Sequence, residues 1–200
     1  PLADKLVNHG YKIYMLDLPG FGASDAPPHT YTVFDYAQFC IAYLDYFSLD
    51  RIHLFGHSFG GRLGLILASD YRERINKMVL SDSAGIKTKA PLTKQIRLKS
   101  YQLIRDSLYT LGATSLANTL REAYNQRYAS TDFKQVSGVM RETFVKVINK
   151  DLLDHASRVA VPTILIWGDK DEATPLWQGK KLEETIPDSA LIVYEGAGHY

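Results

Sequence analysis

Short apolar runs separated by stretches of helical periodicity predict strands alternating with helices along most of the chain. Residues 2–9 read as the end of a helix stopped by Gly10. Tyr11–Leu16 reads as a buried strand running into the turn Asp17-Leu18-Pro19-Gly20-Phe21-Gly22. Thr32 is placed to cap a helix, with Asp35 three residues on, and apolar positions from Phe34 to Phe47 recur at helical spacing. Further strands are predicted at Arg51–Gly56, Lys77–Ser81, Pro162–Gly168 and Ala190–Tyr194, with a helix over Arg62–Asp70. Strands joined through helices imply an α/β fold with a parallel sheet and right-handed crossovers.

Between Ile86 and Ser157 the strand pattern disappears. Leu98, Tyr101, Leu103, Ile104 and Leu108, and later Phe144, Val145 and Ile148, fall at helical spacings and predict several inserted helices. The expected organisation is a sheet-bearing core over residues 1–85 and 158–200, interrupted by a helical insertion over 86–157. The insertion carries twelve Lys/Arg against six Asp/Glu, a net charge of +6, which predicts a solvated basic surface.

Composition narrows the function classes. Apolar residues at 46% and charged residues at 22% belong to a globular protein rather than a disordered one. A formal net charge of +1 offers no global footprint for nucleic acid. No apolar run approaches the roughly 18 residues of a membrane span, and no signal-peptide pattern is visible, so the expected location is cytoplasmic. Cys40, the one cysteine, excludes an intramolecular disulfide and reads as a small buried hydrophobe within Phe39-Cys40-Ile41-Ala42. No His, Asp and Cys cluster has ligand spacing, so neither metal nor cofactor is expected. The expected partner is a small-molecule substrate; the oligomeric state stays open.

The candidate chemistry centres on Gly56-His57-Ser58-Phe59-Gly60-Gly61, which follows an apolar strand and precedes an apolar helix. A sharp strand-to-helix turn would expose the Ser58 hydroxyl above the sheet edge, with Gly56 and Gly60 relieving clashes. The following helix N-terminus would offer free amides to a developing oxyanion. A serine hydroxyl needs a base, and the base needs an orienting group. The acidic loop Asp169-Lys170-Asp171-Glu172 follows one strand, Asp82 follows another, and Glu195-Gly196-Ala197-Gly198-His199 follows the last. All lie where open parallel sheets place their sites. Of the six histidines, His9, His29, His53 and His155 lack a glycine-framed loop, and His57 lies within the turn itself. Asp17 and Asp25 are expected to fix the turn around Gly20, and Arg62 to anchor the helix after Ser58 by an ion pair.

Four motifs in order resemble the α/β-hydrolase superfamily, in its lid-bearing esterase and carbon–carbon-bond hydrolase branch. They are Asp17-x-Pro19-Gly20-x-Gly22-x-Ser24, Gly56-His57-Ser58-Phe59-Gly60-Gly61, Gly168-x-x-Asp171-x-x-x-Pro175 and Gly196-x-Gly198-His199. The resemblance implies Ser58 as nucleophile, His199 as general base, Asp171 as its orienting carboxylate and the Phe59 amide as one oxyanion donor. It makes the 86–157 insertion a cap, with Phe21, His57 and Trp177 as pocket residues. It also implies that further strands, the second oxyanion donor and a closing helix belong to segments outside these residues, so that the chain is a truncated piece. The implied reaction is hydrolysis of a carboxylic ester or related carbonyl compound through an acyl-enzyme. A non-catalytic ligand-binding homologue and a cofactor-free perhydrolase would carry the same residues.

Overall fold

The computed structural model describes residues 2–87, 92–128, 133 and 136–200. The chain runs α1 (Leu2–Asn8), α2 (Val33–Tyr46), β1 (Ile52–His57), α3 (Phe59–Asp70) and, after a short 3-10 turn at Arg72–Arg74, β2 (Ile75–Ser81). Four helices follow: α4 (Leu92–Thr110), α5 (Thr114–Tyr128), α6 (Gly138–Asn149) and α7 (Leu153–Ala156). The chain then returns through β3 (Thr163–Gly168), α8 (Leu176–Thr185) and β4 (Ser189–Tyr194).

The strands form one parallel sheet in the order β1-β2-β3-β4. His57 lies opposite Ser81 at one end of the sheet, and Gly168 lies opposite Tyr194 there. The loops that leave these ends therefore share a single edge, although the insertion separates β2 from β3 in sequence. α3 and α8 pack on one face, burying Leu65, Met78, Leu80, Leu165, Trp167 and Leu182. Each such side chain stabilises the fold by roughly 1.5–3 kcal/mol. α2 starts at a full capping box: the Asp35 amide donates to the Thr32 hydroxyl, and the Thr32 amide donates to the Asp35 carboxylate at 2.6 Å. Burial pushes the Cys40 thiol up to about 11. Among the described residues, no helix is long and apolar enough to cross a membrane.

Two expectations differ from the structure. Tyr11–Leu16 forms no strand, and Tyr11 and Met15 are 52% and 78% exposed. A strand needs a neighbouring backbone to complete its ladder, and among the described residues β1 pairs with β2 alone. The helix expected at Arg62 begins at Phe59, because the turn at Ser58 leads straight into it. Within the insertion, the described residues form helices and no strand, but Leu103 is 71% exposed, and Leu98, Ile104, Val145 and Ile148 are exposed as well. Tyr101 does face inward and stacks on Tyr124 at 3.9 Å, joining α4 to α5.

Candidate active site

Ser58 occupies the one-residue turn between β1 and α3 with φ 48° and ψ −110°, a left-handed conformation that costs a non-glycine residue about 1–3 kcal/mol. The surroundings hold it there. Its amide donates to the Ser81 carbonyl at 3.2 Å, and its carbonyl accepts from the Gly61 and Ala84 amides at 3.0 Å each. A Cβ on Gly56 would come 2.6 Å from the Gly60 carbonyl oxygen, so the strand can approach the helix only through glycine. The second steric glycine is Gly61, where a Cβ would overlap the Ser83 side chain; a Cβ on the expected Gly60 would meet open space. Phe59 opens α3, where an amide has no intrahelical acceptor and the helix dipole presents partial positive charge.

The Ser58 Oγ lies 3.0 Å from His199 Nε2, and His199 Nδ1 lies 2.7 Å from Asp171 Oδ2. With Nδ1 donating to the carboxylate, Nε2 is left to accept from the serine hydroxyl. Three loops from three strand ends meet to make this chain of contacts. The approach depends on Gly168, where a Cβ would overlap the carbonyls of Ala197 and Gly198 in the loop that carries His199. The Lys170 amide donates to the Ala197 carbonyl at 2.9 Å, and the Gly196 amide donates to Asp169 Oδ1 at 2.7 Å.

Asp171 is 4% exposed. Its Oδ1 accepts from the Ala173 and Thr174 amides at 2.7 and 2.9 Å, and its Oδ2 accepts from the Thr174 hydroxyl as well as from His199. Burial pushes this carboxyl up. The hydrogen bonds from the Thr174 hydroxyl, His199 and the Thr174 amide, with the charge on His199, outweigh burial and hold it below the usual carboxylate range. The rival acids are occupied elsewhere: Asp82 accepts from the Gly168 amide and the Ser81 hydroxyl, Asp169 from Gly196, and Glu172 is exposed.

The expected pocket residues separate into two places. Phe21 stacks on Phe59 at 5.5 Å, and Tyr36 meets both rings edge-on. His57 stands instead beside His199, 4.8 Å between ring centres, with Nδ1 facing the Ser81 carbonyl and Nε2 buried without a partner. That side opens into a cavity of about 440 Å³ bordered by Leu2, Phe55, Asp82, Ile166 and Tyr194. Trp177 sits in the first turn of α8, half exposed, and joins no ring contact among the described residues. Asp17 and Asp25 fix the turn as expected: the Asp17 carboxylate accepts the Ala23 amide, and the Asp25 carbonyl accepts the Gly20 amide. Among the described residues, Arg62 makes no direct ion pair of the kind expected. Its guanidinium donates to the Lys150 and Ile148 carbonyls at 2.7 and 3.4 Å, at the C-terminal end of α6. Thr174 had no signal in the sequence, since a hydroxyl in a loop follows no periodicity.

Residues 1–138 match the family model described as alpha/beta hydrolase fold, and residues 144–200 match one described as TAP-like protein. A 2-hydroxy-6-oxononadienedioate/2-hydroxy-6-oxononatrienedioate hydrolase of Escherichia coli is 28% identical over 98% of this chain and 73% of its own length. Two solved structures share the fold. The esterase from Exiguobacterium antarcticum is 21% identical, with a TM-score of 0.71 over 98% of this chain and 77% of its own. The meta-cleavage product hydrolase from Pseudomonas fluorescens IP01 is 23% identical, with a TM-score of 0.61 over 91% and 70%.

Proposed function

The chain belongs to the α/β-hydrolase family, and we propose that it is a serine hydrolase that cleaves a carboxylic ester or related carbonyl compound through an acyl-enzyme on Ser58. The observation that carries this reading is the unbroken run from Ser58 Oγ through His199 to Asp171, at 3.0 and 2.7 Å. Ser58 Oγ attacks the carbonyl carbon while its proton passes to His199 Nε2. Asp171, fixed by two amides, keeps the Nδ1 proton in place and stabilises the imidazolium. The carbonyl oxygen becomes an oxyanion beside the Phe59 amide at the start of α3, where the helix dipole favours negative charge. The proton on Nε2 then leaves with the departing group. Water, giving its proton to the same nitrogen, hydrolyses the acyl-serine.

The helices between β2 and β3 act in this reading as a cap. α6 reaches the site's rim: Met140 packs where a Cβ on Gly20 would lie, Thr30 donates to Glu142 at 2.8 Å, and the Tyr31 amide donates to the Thr143 hydroxyl at 3.0 Å. The neighbouring Phe21 and Phe59 rings suit a substrate with an apolar portion, while His57 borders the separate cavity beside His199. The Escherichia coli relative, named for an oxo-dienedioate substrate, favours a second reading in which the bond broken lies between a ketone carbon and its neighbour. Assays with a nitrophenyl ester and with a vinylogous diketone separate the two. Turnover of at least one, lost in Ser58→Ala, is the expected result. Undiminished turnover of either by Ser58→Ala, or a folded parent protein that binds but converts neither, would overturn the proposal.

A further inference from the structure

We propose that Thr174 is a positioning residue of the acid–base pair, its hydroxyl holding the Asp171 oxygen that His199 also uses. The inference rests on the Ser58, His199 and Asp171 reading and adds a fourth member to it. Thr174 is 5% exposed at the end of the acidic loop. Its Oγ1 lies 2.6 Å from Asp171 Oδ2, 3.0 Å from the Asp82 carbonyl oxygen and 3.4 Å from His199 Nδ1. Its amide donates to Asp171 Oδ1 at 2.9 Å, and its carbonyl accepts from the Trp167 indole at 2.7 Å. Backbone and side chain together clasp both carboxylate oxygens from one residue whose own place is fixed by a buried tryptophan.

A hydroxyl has one proton to give. The short contact to the charged oxygen takes it, since charge-assisted hydrogen bonds are the shorter and stronger kind. Asp171 Oδ2 thus receives two donors, the Thr174 hydroxyl and His199 Nδ1–H, at 2.6 and 2.7 Å. Two donors spread the charge of that oxygen. The carboxylate therefore holds the imidazolium less tightly than a bare one would, leaving His199 easier to return to the neutral base. Removing the hydroxyl concentrates charge on Oδ2 and lets the carboxylate rotate about the amides that grip Oδ1. Other groups around His199 stay as they are: the Ser58 hydroxyl, the His57 ring at 4.8 Å and the Tyr200 ring at 4.9 Å. The Asp82 carboxylate, turned to the Gly168 amide and the Ser81 hydroxyl, also stays in place.

The test is the pH dependence of kcat and kcat/KM for the parent protein, Thr174→Val and Thr174→Ser, with Ser58→Ala as reference. Thr174→Val is expected to lower kcat about 10-fold with KM changed less than about twofold, and to move the acidic limb of kcat/KM up by about half a pH unit. Thr174→Ser, which keeps the hydroxyl, restores both. A folded Thr174→Val with parental kcat and limb overturns the proposal, as does a serine variant impaired as much as the valine one. Should the valine variant not fold, Thr174→Ala against Thr174→Ser isolates the same hydroxyl, and equal profiles for that pair overturn it. Activity surviving in Ser58→Ala instead removes the nucleophile reading beneath it, so the two failures are told apart.

Discussion

The sheet edge and the helical insertion are held by different means. At the edge, Ser58, Asp171 and the His199 loop are each fixed by several hydrogen bonds between strand ends already in register. The insertion buries few side chains of its own, with Tyr101, Ala117, Thr143 and Val147 the buried residues of its three long helices. It is tied to the core along α6, where Glu142, Thr143 and Met140 meet Thr30, Tyr31 and Gly20, and at a neck. Arg62, one turn along α3 from Ser58, grips the last carbonyls of α6. The Asp151 carboxylate accepts from the Lys87 and Leu153 amides, and the Leu152 amide donates to the Gly85 carbonyl, so the outgoing and returning chains are cinched together. A site built on strand ends is over-determined, whereas α4 and α5, with only Tyr101 and Ala117 buried, can open locally at lower cost than the core.

That contrast can be broken from either side. The largest effect is expected at the edge: Ser58→Ala should lower kcat by at least about 10³-fold while leaving the thermal transition near its parental position. At the neck, Arg62→Met removes the guanidinium of a buried residue and leaves two carbonyls without their donor. Burial pulls the Arg62 guanidinium down to about 10 while the Asp151 charge opposes the fall, so the contacts it makes are charged ones. The loss should be about 2–3 kcal/mol in denaturant unfolding, and KM should rise more than kcat falls if the insertion covers the substrate. An unchanged KM would detach the insertion from binding.

A smaller effect is expected from pH. The Asp171 carboxyl is held below its ordinary value in the folded protein, so its ionised form stabilises the fold. That contribution is complete above the unfolded value near pH 4 and is lost as pH falls through the lower folded value. The stability gap between the parent and Asp171→Asn should therefore be constant at neutral pH and narrow in acid, and a gap that widens below about pH 4 would reverse the sign. Smallest of all, Leu103→Gln on the exposed face of α4 should alter stability by less than about 0.5 kcal/mol.

The same contrast decides what could be read from the chain. β1 to β4 were legible to within two residues, because apolar runs bounded by turn residues report burial directly. Ser58 and His199 were legible as positions, since each follows a strand end in a short loop, whereas only the resemblance separated Asp171 from Asp82, Asp169 and Glu172. What needed three dimensions was identity of neighbours. Tyr11–Leu16 has a strand's composition, but composition does not reveal whether a backbone lies beside it. Gly61 outranks Gly60 only because Ser83, on a different strand end, fills the space next to it. Thr174 lies three residues from Asp171 and touches it through a loop bend that no periodicity encodes, and the inward face of α4 is set by its packing on α5.

Whether Ser58 is a nucleophile activated by His199 is read by reacting the parent protein with a fluorophosphonate and locating the adduct by peptide mass spectrometry. A single adduct on Ser58 is expected, absent in Ser58→Ala and formed at least about 100-fold more slowly in His199→Ala. An adduct on another residue, or a folded protein labelled equally fast without His199, would contradict that role.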